Sequence, residues 1–103
     1  MRFNDVITVW QRGELNPIGK PTYSLPERVK ARWEDRTVLF ISPDGRSERS
    51  RAVVYVPKEF PTGALIKKGW HRTNTPPQDA YEVRDVRVIP NLHGTKKEIR
   101  LIL

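Results

Sequence analysis

Nine prolines and six glycines cut this chain of 103 residues into short segments, which excludes long helices before any pattern is read. Between the breaks the pattern has period two. From Arg28 to Asp35, Val29, Ala31 and Trp33 fall on one face, and Lys30, Arg32 and Glu34 on the other. One apolar face at that period is the signature of a half-buried strand. Asp5–Arg12, Thr37–Ile41, Ala52–Val56 and a short Ala64–Ile66 read as further strands, rich in β-branched and aromatic residues. Tyr81–Ile89 alternates, then changes phase at Arg84-Asp85, as a β-bulge would make it do. Glu98–Leu103 closes the pattern with Ile99, Leu101 and Leu103 on one face.

Two turns are well specified. Ser42-Pro43-Asp44-Gly45 puts Ser first, Pro second and Gly fourth, as a type I turn favours, and Asn91-Leu92-His93-Gly94 shares the first and fourth positions. Each joins two strand-like runs and reads as a hairpin. Gly13–Pro26 reads as a loop, Lys67–Asp79 as the longest irregular stretch, and Pro57–Phe60 has room for one helical turn. The expected fold is all-β: a single-domain β-barrel spanning residues 1–103, with six or seven short strands and long loops. Its expected core contains Trp33, Val54, Val56, Tyr81, Val83, Ile99 and Leu101.

Little catalytic chemistry is on offer. With no cysteine, no disulfide braces the domain and no thiolate serves as nucleophile or metal ligand. His71 and His93 lie apart in predicted loops and match no metal motif. Glu34 and Asp35 are neighbours on a strand, so their carboxylates point to opposite faces. No nucleophile elbow, phosphate loop or dinucleotide fingerprint occurs. The expectation is a protein that is not an enzyme and binds neither cofactor nor metal. The start, MRFNDVITVW, lacks the apolar stretch of a signal peptide, and no run approaches bilayer length, so the expected setting is cytosolic and away from membranes.

The formal charge is +7, which suits a polyanion or an acidic protein surface as partner. The cations are dispersed. Arg28, Lys30 and Arg32 line one strand face, and Arg46, Arg49 and Arg51 follow the Asp44-Gly45 turn. Lys67, Lys68 and Arg72 surround Trp70 and His71 in the long loop, where an aromatic among cations can stack on a base or anchor the loop to the barrel.

The order of features resembles the head-tail connector proteins of tailed bacteriophages, the head-closure or stopper type in particular. The resemblance spans nearly the whole chain. It is most specific in Ala31-Arg32-Trp33-Glu34-Asp35 and in Ser50-Arg51-Ala52-Val53-Val54-Tyr55-Val56. It also includes Val6–Arg12, the Phe40–Arg46 hairpin, Ala80–Arg84 and Val88–Gly94. The resemblance implies a β-barrel that self-associates into a dodecameric or hexameric ring. Such a ring lies between a portal or adaptor ring and the tail proteins, in the virion or, during assembly, in host cytoplasm. It closes the exit channel over packaged double-stranded DNA and offers the tail its attachment surface. The occluding loop would lie between the strands of Trp33 and Tyr55, making Arg36, Arg46, Arg49 and Arg51 the expected channel-facing or DNA-proximal residues. Lys67, Lys68, Trp70, His71 and Arg72, with Met1–Asn4, are the expected inter-ring contacts. Two other readings stay open: another neck component, such as an adaptor or tail terminator, and a free nucleic-acid-binding barrel.

Overall fold

A computed structural model describes residues 3–90 and 97–103. Its main sheet has seven antiparallel strands in the order β10-β11-β7-β4-β1-β8-β9, curled into a half-barrel. The strands are β1 (Asp5–Trp10), β4 (Glu27–Glu34), β7 (Val53–Val56), β8 (Leu65–Lys68), β9 (Tyr81–Glu82), β10 (Asp85–Pro90) and β11 (Lys97–Ile102). Two hairpins complete the molecule: β2 (Arg12–Leu15) with β3 (Pro21–Tyr23), and β5 (Leu39–Ile41) with β6 (Ser47–Arg49). Among the described residues there is no helix, and Pro57–Phe60 merely bends.

Alternation decides which side chains meet. Ile7 and Val9 of β1, Val29 and Ala31 of β4, Val54 and Val56 of β7, Ile66 of β8, and Ile99 and Leu101 of β11 point inward and pack with Val83 and Phe60. Trp33 and Tyr81 are half-buried at the edge of this cluster, with ring centroids 5.5 Å apart. Trp10 is the fully buried tryptophan. It belongs to the opposite face of β1, and its indole Nε1 donates to the Thr73 carbonyl at 2.8 Å.

The phase change after Val83 is not a bulge. β9 pairs with β8 at one edge of the sheet and β10 with β11 at the other, yet only Val83-Arg84 separates them in the chain. The chain therefore crosses from one edge of the curled sheet to the other through this dipeptide. Val83 N–H donates to Ala64 O (2.8 Å) on the β8 side, and Arg84 N–H donates to Ile102 O (2.8 Å) on the β11 side. That dipeptide is the seam of the barrel.

Gly13–Pro26 is likewise not a plain loop. Arg12–Leu15 and Pro21–Tyr23 pair across Asn16-Pro17-Ile18-Gly19, where Gly19 N–H donates to Asn16 O (2.9 Å) and Gly19 takes φ +82°. The Asn-Pro-x-Gly order matches the Ser-Pro-x-Gly order of the second turn, where Gly45 N–H donates to Ser42 O (2.9 Å) at φ +84°. A positive φ at the fourth position suits glycine at both. The turn Asn91–Gly94 and His93 lie outside the described residues, as do Met1 and Arg2, but the strands flanking that turn pair from Asp85↔Ile102 to Pro90↔Lys97.

Candidate functional site

Three surfaces carry the residues the sequence singles out. The first is the β5–β6 hairpin, which lies over the barrel seam. Phe40 is buried in a second, outer cluster with Val53, Tyr55 and Ile102. The Arg84 guanidinium sits over the Phe40 ring at 4.9 Å and donates to Arg49 O (2.7 Å) and Leu103 O (2.8 Å). It also faces Glu48 at 3.6 Å. Arg87 donates to Leu39 O at 3.1 Å, and the Ser50 hydroxyl donates to Arg36 O (2.9 Å) while accepting from Val38 N–H (2.8 Å). The hairpin is thus fastened along its length rather than standing off as a free arm. Its turn is open to solvent beyond Ser42, whose hydroxyl donates to Asp44 and holds that carboxyl below the ordinary carboxylate range. Leu39 and Ile41, at 62% and 74% exposure, look outward from β5.

Arg46 and Arg49 are exposed on this hairpin, and Arg51 just beyond it. The Arg36 backbone lies beside Ser50, but its side chain turns away from them. It donates to Tyr55 Oη (3.0 Å) and pairs with Glu34 (3.4 Å), which puts it on the outer face of the main sheet.

The second surface is the segment after β8. Lys67 and Lys68 belong to that strand rather than to a loop. Lys67 Nζ holds Asp79 at 2.7 Å, which depresses the Asp79 pKa, and Lys68 Nζ lies 5.9 Å from the Trp33 ring centroid. Beyond them the chain is stapled to β1. The buried Thr8 hydroxyl donates to Gly69 O (2.7 Å) and accepts from His71 N–H (2.9 Å), while Gly69 N–H donates to Val6 O (2.7 Å). Trp70 and Arg72 remain exposed. Excising this segment would strip partners from Thr8 and Trp10, so the loop is also part of the fold.

The third surface emerges only from register. Arg32 lies opposite Tyr55, Tyr55 opposite Arg100, and Arg100 opposite Arg87. One rung of the outer face thus carries three arginines around a tyrosine, and Arg36 reaches the tyrosine hydroxyl. Carboxylates position the guanidiniums: Glu34 pairs with Arg32 (3.2 Å) as well as Arg36, Glu98 with Arg100 (2.8 Å) and Asp85 with Arg87 (3.6 Å). The signal in the sequence was the alternation of Arg28, Lys30 and Arg32. Their cross-strand neighbours were not visible there.

Glu34 and Asp35 part company: Glu34 serves two arginines and Asp35 accepts from Trp33 Nε1 at 2.8 Å. Among the described residues no three His, Asp or Glu side chains gather as metal ligands would. A groove of about 390 Å³ runs between the hairpin and the seam, lined by Arg12, Phe40, Pro43, Glu48, Gly63 and Arg84. In comparisons with known proteins, no family model, no curated protein and no solved structure matches this chain.

Proposed function

We propose that this protein is a structural component of the neck of a tailed bacteriophage, of the head-closure type, acting by assembly and not by catalysis. The observation that carries the reading is the placement of exposed apolar residues. Leu39 and Ile41 on one hairpin, and Leu15, Ile18 and Leu25 on and beside the other, are 59–76% exposed on a monomer that gains nothing from showing them. Exposed apolar residues gathered on two hairpins mark candidate contact surfaces. Head-to-tail packing around an axis places a contact on each side of every subunit and closes a ring. The outer edge of β5 beyond Leu39, whose carbonyl Arg87 already occupies, suits edge-to-edge pairing with neighbouring copies near that axis. In this reading a portal or adaptor ring lies above, tail proteins below, and packaged duplex DNA in the channel, held by the positive hairpin collar of Arg46, Arg49 and Arg51.

Locating the protein in a reconstruction of an intact virion tests the reading, with a ring at the head-tail junction as the expected result. Replacing Arg46, Arg49 and Arg51 together by Ser, all exposed, is expected to leave the barrel folded and to yield heads that package DNA but leak it before tails join. Full DNA retention, with the variant present in the neck, removes the collar from the closure role. An adaptor or tail terminator is the neighbouring reading, and the position along the neck separates them.

A further inference from the structure

The outer face of the main sheet carries a row of cations among the described residues, and no step of the ring reading uses it. Arg28, Lys30 and Arg32 project from it along β4, with Arg36 just beyond, Arg100 on β11 and Arg87 on β10. Against these six cations stand the carboxylates Glu34, Asp85 and Glu98, leaving +3 by that count. Arg28 and Lys30 have no ion pair among the described residues.

The arrangement is regular. Alternate residues of β4 repeat at about 6.8 Å, and neighbouring strands lie about 4.8 Å apart. It is also locally unfavourable. Arg87 directly opposite Arg100 is a like-charged cross-strand pair, which costs stability unless each guanidinium is held by its own carboxylate. Both are so held, yet Arg100 Nε is buried and still has no acceptor. A sheet that breaks a local pairing rule at a solvent-facing rung points to a use for that rung.

We infer that this face docks on the phosphate backbone of duplex DNA. The ligand class follows from what the face holds and lacks. Protein interfaces centre on a desolvated apolar or aromatic anchor. Here the central aromatic, Tyr55, is 5% exposed, packed with Phe40, Val53 and Ile102, capped by Arg36 and overlain by Arg100 at 5.5 Å. Apart from Ile89 toward the end of β10, what remains accessible is charge at repeated spacing, which suits sequence-independent contact with phosphates. The exposed Trp70 lies at the border, since the backbone of His71 beside it is fixed to Thr8, opposite Arg28. The inference deepens the neck reading by adding a second DNA-facing surface to the hairpin collar, and it rests on that reading only in supposing that DNA passes this protein.

The test uses the full chain and a fluorescein-labelled duplex of random sequence, with anisotropy followed across salt concentration. Neutralising a few phosphates predicts a slope of log K against log salt of about −3, at about −0.9 per contact. Arg28→Ser, Lys30→Ser and Arg32→Ser together are expected to flatten that slope by about 2, from the unpaired Arg28 and Lys30 with Arg32 largely neutralised by Glu34, and to weaken low-salt binding at least tenfold. The Arg46, Arg49 and Arg51 triple variant is expected to change the slope by less than the β4 variant does. Shifts of amide resonances on titrating the unmodified protein with the duplex should concentrate on β4, β11 and β10, a readout that needs no variant. Three results overturn the inference: an unchanged slope in the β4 variant, loss confined to the hairpin variant, or resonance shifts elsewhere. Capture of polyglutamate but not duplex would also overturn it, because the face would then read as a dock for acidic protein. The virion reconstruction stands apart from this assay, so failure of one leaves the other intact.

Discussion

The two hairpins begin from the same local chemistry and end in different states. Each has a helix-free turn with Pro second and a positive-φ glycine fourth, yet β5–β6 is fastened over the seam and β2–β3 is exposed along all of β2. Phe40 makes much of the difference. It gives β5–β6 one fully apolar contact with the barrel, around which Arg84, Arg87 and Ser50 add polar ones. β2–β3 has hydrogen bonds of its own, such as Ser24 N–H to Gln11 O at 2.9 Å, and Arg12 lying against Gly63, but no buried large side chain. Turn chemistry fixes that a hairpin forms; burial fixes where it rests.

The sharpest way to break this contrast is Phe40→Ala. Emptying a site that is 4% exposed should cost about 3 kcal/mol, at the low end for aromatic truncation because the outer cluster is small. Leu15→Ser with Ile18→Ser should change stability by no more than about 0.5 kcal/mol, since both side chains are exposed. Urea unfolding curves of the two variants compare them directly, and equal midpoints would mean that β5–β6 is not held by Phe40.

Arg84→Ala is the next largest. It removes hydrogen bonds to two carbonyls and the contact with Phe40, and a loss of about 2 kcal/mol is expected, allowing for partial exposure of the guanidinium. Arg84→Lys should recover only part of this, because a compact ammonium lacks the planar guanidinium that lies over Phe40 while its Nη2 donates to Arg49 O and Leu103 O. Faster amide exchange at Ser50 and Arg51, with β2–β3 unaffected, would place the loss at the seam.

The smallest effect separates the two turns by pH. Asp44 closes one turn and Asn16 the other; Asn16 Oδ1 accepts from Ile18 N–H (3.1 Å) and Lys20 N–H (2.9 Å) and does not titrate. The Asp44 pKa is depressed in the folded state by the Ser42 hydroxyl. Its contribution is therefore complete above the ordinary carboxylate value of about 3.9 and fades as pH falls through the lower folded value. The Gly45 amide resonance should move over that acid range while Gly19 stays still. Parallel movement of both would assign the change to the barrel.

Legibility from the sequence follows the range of the interaction. The inward set Val29 and Ala31, the Ser42–Gly45 turn and the Ile99–Leu101 face are local and were readable. The break near Arg84 was readable too, but a bulge and a strand that leaves one sheet edge for the other shift the phase alike, and only pairing partners distinguish them. Asn16–Gly19 carried a turn signal that the surrounding polar composition obscured. Trp10 resembled any strand aromatic until Thr73 appeared as its partner. The cationic rung needs the β7–β11–β10 register, which links positions more than forty residues apart, such as Tyr55 and Arg100.

The seam has a consequence for how the molecule is made. β11 lies between β7 and β10, so the inner core stays open along that side until β11 has been synthesised and inserted. A nascent chain that has completed β1, β4 and β7 holds an unpaired β7 edge, a template for wrong partners. Nearly every pairing of the main sheet is distant in sequence, as Ile7 with Lys68 and Val54 with Leu101 show. Such topologies fold in milliseconds to seconds rather than microseconds. Insertion of β11, and not the emergence of the first strands, is then the step that commits this chain to its shape.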